Sequence, residues 1–96
     1  MVIRILDIVS AADTAAQGAA VFARVRPVLA VTDDVVTISF DGVKTATSSF
    51  VNVAFVQLLD FMSVSDIKRR VRVIRSTRQI NDMIRTRIER GAMATA

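Results

Sequence analysis

Three apolar runs of strand character alternate with three stretches of helical spacing along this chain, and short polar breaks separate them. Val2-Ile-Arg-Ile-Leu-Asp-Ile-Val9 is rich in β-branched residues and predicts a strand with Arg4 facing outward. Ser10 to Thr14 is a short connection that offers several helix N-cap residues. From Ala15 the spacing turns helical, with Ala15, Ala19, Phe22 and Val25 on one face. Pro27 is expected to kink or shorten this helix, and Val28 and Leu29 continue its stripe.

Thr32-Asp33-Asp34 is a polar turn, and Val35 to Phe40 is an apolar run suited to the interior of a sheet. A second helix is predicted from Ser48 to about Met62, followed by a polar break from Ser63 to Asp66. Arg70-Val-Arg-Val-Ile-Arg75 then alternates arginine with apolar residues, as suits a strand at a solvated sheet edge. Ser76-Thr-Arg-Gln79 has the spacing of a capping box and opens a helix with Ile80, Met83, Ile84 and Ile88 on one face. Gly91 stands where a C-cap glycine is expected, so Ala92 to Ala96 is read as a frayed tail. The order implies a small layered α/β fold, β-α-β-α-β-α, with a mostly parallel sheet and helices packed against it. Residues 1–91 are expected to form its single domain.

Composition narrows the chemistry. With no cysteine and no histidine, disulfides, thiolate nucleophiles and Cys/His zinc sites are excluded, as is the commonest general base. Asp41 alone is poor support for a cation, and Asp33-Asp34 is turn chemistry. Gly18 and Gly42 stand apart, so no glycine-rich phosphate loop exists, and Lys44 and Lys68 are the only lysines that could activate a serine. No enzymatic activity, cofactor or metal is therefore expected. No apolar run has the length of a membrane span and no signal peptide opens the chain, so the expected location is the cytoplasm. A hydrophobic fraction of 52 % in 96 residues leaves apolar surface outside a small core, which favours a partner protein or a homodimer.

Charge is unevenly placed. Residues 1–60 carry four basic and six acidic side chains, whereas residues 61–96 carry nine basic and three acidic. Lys68, Arg69, Arg70 and Arg72 lead this basic face, which would suit an acidic partner. Nucleic acid is the weaker candidate, because no tyrosine or tryptophan accompanies the arginines for base stacking. A homodimeric scaffold using that face is the alternative reading of the whole chain.

The sharpest local feature is Val35 to Phe50. An apolar strand runs into Asp41-Gly42, and Thr47-Ser-Ser-Phe50 then opens the second helix. Thr47 or Ser48 is its N-cap, and Ser48 and Ser49 are also candidate phosphoacceptors. Along the helix Ser49, Asn52, Gln57 and Asp60 fall in one polar sector that also holds Val53 and Val56. Phe50, Val51, Ala54, Phe55, Leu58, Leu59 and Phe61 are expected to form the core.

The strand Val36-Thr-Ile-Ser-Phe-Asp-Gly-Val43 followed by Thr47-Ser-Ser-Phe50 resembles the STAS-like bacterial domains related to anti-sigma-factor antagonists. Members typically show Asp-Ser-Ser-Gly or a variant at the helix start; here Thr47 replaces the acidic residue and Phe50 the glycine. The resemblance implies that Ser48 occupies the phosphorylated position and that the partner is a GHKL-type ATPase or kinase-like regulator. It implies that the second helix and its N-terminal turn form a regulatory docking surface, the face that Val53 and Val56 mark in the helical sector. The expected contact residues are therefore Asp41, Thr47, Ser48, Ser49, Asn52, Val53, Val56 and Gln57.

Overall fold

The computed structural model describes residues 1–95. Strands β1 (Val2–Arg4), β2 (Val36–Ser39) and β3 (Val71–Ile74) form one parallel sheet in the order β1-β2-β3. Helices α1 (Ala15–Val31), α2 (Ser48–Ala54), α3 (Val64–Arg70) and α4 (Arg78–Thr95) complete the domain. Ile3 pairs with Ile38, which pairs with Val73, so these side chains share one face of the pleat. Two successive crossovers in the same direction put their helices on that face, where the core lies. Val36, Ile38 and Phe40 are fully buried there, and the Phe40 ring stacks on Phe55 with centroids 6.0 Å apart.

The predicted order of three strands holds, and the differences have local causes. The first strand stops at Arg4 because Ile5–Asp7 coils into a 3-10 turn, in which the amides of Ile8 and Val9 both donate to the Ile5 carbonyl. The turn brings Asp7 back to Arg4 at 3.2 Å, a spacing that an extended strand forbids. Helix α1 continues through Pro27 to Val31 and buries Gly18, Val21, Val25 and Leu29. Ala15 and Ala19 are exposed and Phe22 only half-buried, so the expected face was rotated. Gly18 explains the rotation: a Cβ there would lie 2.6 Å from the Phe50 carbonyl, so the glycine marks the closest approach of α1 to α2.

The second helix is not continuous to Met62. It breaks at Phe55 and resumes as a 3-10 segment over Val56–Asp60. Phe55 and Leu58 are thereby buried, but Phe61, expected in the core, emerges 40 % exposed with the Arg26 guanidinium 5.3 Å above its ring. The supposed polar break after it forms α3, whose first turn is capped by Ser63 accepting from the Asp66 amide at 3.1 Å. Asp66 in that first turn and Lys68, Arg69 and Arg70 in the last complement the helix dipole. The cap of α4 is Thr77 rather than Ser76: its hydroxyl accepts from the Ile80 amide at 3.2 Å. Ile80, Ile84 and Ile88 are buried as expected and Met83 partly so. The C-cap expectation for Gly91 is corrected, since α4 runs through it to Thr95 and takes in most of the supposed tail. A Cβ at Gly91 would meet Val56 and Leu59, and that packing accounts for a glycine inside the helix. Ala96 lies outside the described residues.

Candidate functional site

The carboxyl ends of β1 and β2 lead into the turns that start α1 and α2, so both helix starts lie together. Gly42 makes the turn after β2 with φ +85°, a conformation a β-carbon disfavours, and a Cβ would also meet Leu6. Asp41 is held beside this turn, with Oδ2 3.6 Å from the Arg4 Nε and its amide donating to the Ser39 hydroxyl. At the other start, Thr14 and Gln17 form a reciprocal capping box on α1.

Thr47 joins the two. Its hydroxyl donates to the Asp13 carbonyl at 2.8 Å and accepts from the Phe50 amide at 3.2 Å, while its amide donates to the Ala12 carbonyl. A crevice of about 150 Å³ lies alongside, lined in part by Ser10, Asp13, Gly42, Lys44 and Thr45. The Asp13–Thr47 contact spans 34 residues, and no local pattern announces it.

With Thr47 as cap, Ser48 is the first residue of α2 and is half-buried, and Ser49 and Asn52 are exposed on the helix surface. Among the described residues no hydrogen bond engages the Ser48 or Ser49 hydroxyls. Val53 and Val56 are half-buried rather than an open stripe: Val53 borders Gly18 of α1, and Val56 borders Gly91 of α4. Gln57 is exposed but lies past the break at Phe55, on the 3-10 segment. The structure thus gathers Thr47, Ser48, Ser49 and Asn52 at one end, with Asp41 at the neighbouring turn and Gln57 set apart.

The basic residues do not form a single surface. Lys68 lies 3.8 Å from Glu89, and Arg69 donates to Asp66 at 2.5 Å. That bond, the leading cause, holds the exposed Asp66 carboxyl below its ordinary value of 3.8. Arg70 turns inward, and its Nη2 donates to the carbonyls of Leu29 and Asp34 at 3.2 and 3.5 Å and also to that of Thr32. It thereby satisfies backbone at the C-terminal end of α1. Arg72 pairs in register with Thr37 and is exposed on the sheet face away from Val71 and Val73. Sequence reasoning missed the inward role of Arg70 because the run Lys68-Arg-Arg70 looks uniform when only charge is read.

These features define a small parallel α/β domain with helices over one sheet face and a serine-bearing helix start at the carboxyl end of its central strand. The chain belongs to the STAS-like domains of unknown function, whose family model matches residues 17–81, from the first turn of α1 to the first turn of α4. No curated protein and no solved structure matches it. No single helix among the described residues is long and apolar enough to cross a membrane.

Proposed function

We propose that the protein is a non-enzymatic regulatory domain that docks a partner protein through the start of α2, and that phosphate on Ser48 weakens the docking. The carrying observation is the division of labour between Thr47 and Ser48. Thr47 supplies the cap, so the need for a capping oxygen does not account for Ser48 or Ser49. Ser49 and Asn52 present polar groups on the same exposed end, which the hydrogen bonds of Thr47 hold rigid against α1. The STAS-like resemblance at Asp41-Gly42 and Thr47-Ser-Ser-Phe50 points to a GHKL-type ATPase or kinase-like regulator as the partner. A phosphate of roughly −2 charge on Ser48 would repel an acidic partner surface and add a desolvation cost to docking.

The test uses a GHKL-type ATPase from the same host as kinase and as binding partner. Unmodified protein is expected to bind and to acquire one phosphate at Ser48, and Ser48→Ala to bind without being phosphorylated. Asn52→Arg should weaken docking without lowering the unfolding midpoint, because that side chain is exposed. Authentic Ser48-phosphoprotein that bound as tightly as the unmodified protein would sink the switch. Docking indifferent to both Asn52→Arg and Ser49→Arg would sink the surface.

A further inference from the structure

The sheet has a free edge beside an apolar cleft. Among the described residues strand β3 pairs only with β2. The Phe40 amide donates to the Ile74 carbonyl, which fixes the alternation: backbone groups of Arg72 and Ile74 face β2, and those of Val71 and Val73 face outward. The Val71 amide closes the end of α3 onto the Ile67 carbonyl, so the outward ladder consists of the Val71 carbonyl and both groups of Val73. Among the described residues neither group of Val73 has a partner.

Helix α4 packs on α2, the 3-10 segment and α3 and leaves space against β3. The result is an open cleft of about 290 Å³ lined chiefly by Phe55, Ile67, Val71, Val73, Ile84 and Ile88. Lys68 and Arg85 stand at its rim. The opposite face of the same strand carries Arg72, which has no acidic partner among the described residues.

We infer that β3 receives an extended segment of a partner protein as a fourth strand, with apolar side chains entering the cleft and acidic ones opposite Arg72. Strand addition takes its affinity from main-chain hydrogen bonds and its specificity from alternate side chains. Both requirements are present here: the Val73 N–H and C=O supply the ladder, and the two faces differ in chemistry. A strand presents residues to opposite faces in turn, so its sequence must alternate apolar with acidic residues. Arg72 then gains the opposite-charge neighbour that it lacks across the sheet, where Thr37 stands. The site lies away from Ser48 and does not depend on the docking proposed there.

The experiment titrates an acetylated octapeptide of alternating valine and glutamate into the isotope-labelled full chain and follows backbone amides by NMR. Saturable shifts at Val71 to Arg75 are expected, with slowed hydrogen exchange at the Val73 amide and unmoved amides at Ser49 and Asn52. Arg72→Glu is exposed, so its fold should persist; it should weaken this peptide about fivefold and favour the valine–lysine counterpart. Failure of the β3 amides to move at millimolar peptide would overturn the inference. So would equal binding of the two peptides, or the same shifts appearing on concentrating the protein alone, which would make a second copy the occupant.

Discussion

The Thr47 hydroxyl donates to the Asp13 carbonyl at 2.8 Å while its oxygen accepts from the Phe50 amide at 3.2 Å. One side chain therefore caps α2 and ties its start to the start of α1. Replacing an N-cap threonine by alanine costs about 1 kcal/mol, and the lost bond to Asp13 adds a further ~1 kcal/mol. Thr47→Ala is expected to lose roughly 2 kcal/mol in urea unfolding, and Thr47→Ser should retain most of it. Equal stability of all three proteins would show that the tie contributes nothing.

Gly18 and Gly91 both sit inside helices, yet the two should respond differently to alanine. At Gly18 the new Cβ would lie 2.6 Å from the Phe50 carbonyl, a backbone atom that cannot step aside. At Gly91 it would lie 2.8 Å from Val56 Cγ1 and 2.9 Å from Leu59 Cδ1, both ends of side chains. Alanine gains about 1 kcal/mol of helix propensity over glycine in each case. Overpacking of about 1–3 kcal/mol exceeds that gain at Gly18, whereas at Gly91 the two effects come closer to cancelling. Thermal unfolding should therefore show Gly18→Ala clearly destabilised and Gly91→Ala near wild type. The opposite order would mean that α1 and α2 do not approach as described.

Arg70 should matter to folding and Arg69, its neighbour, should not. Arg70 reaches the carbonyls of Leu29, Thr32 and Asp34, three acceptors at and just beyond the end of α1, through its Nη2. Its Nε is buried without a partner, which offsets part of the gain. Arg70→Ala is expected to lower stability by about 1–3 kcal/mol, and hydrogen exchange should quicken first at the end of α1. Arg69→Ala should leave the unfolding midpoint in place, because its bond to Asp66 is exposed. A destabilised Arg69→Ala beside an unaffected Arg70→Ala would reverse the assignment.

How much of this was legible depended on the range of the cause. The strand expected over Val35–Phe40 and the Ile80, Ile84, Ile88 stripe follow from local periodicity; the structure has the strand over Val36–Ser39 and buries all three isoleucines. Helix α3 is also legible, because Ser63-Val-Ser-Asp66 has cap spacing followed by a basic last turn, although its polar start resembles a break when charge alone is considered. The rotated face of α1 depends on Gly18 meeting a backbone carbonyl 32 residues away, which no periodicity contains. At the candidate site, the helix start and its exposed Ser49 and Asn52 were readable from spacing. The partial covering of Val53 and Val56 was not, since α1 and α4 provide it from distant parts of the chain.

Asp66 supplies a pH prediction. Its carboxylate accepts from the Arg69 guanidinium and, as the cap partner of Ser63, sits in the first turn of α3; both favour the charged form, and the folded pKa lies below 3.8. A depressed folded pKa contributes stability that is complete above the unfolded value and disappears as pH falls through the folded one. The contribution to α3 is therefore constant at neutral pH and declines only below about pH 4. Carboxyl NMR titration should place Asp66 below the ordinary aspartate range in the wild type and return it most of the way in Arg69→Gln. An Asp66 pKa unmoved by that substitution would show that the cap and the helix dipole, rather than the guanidinium, hold it down.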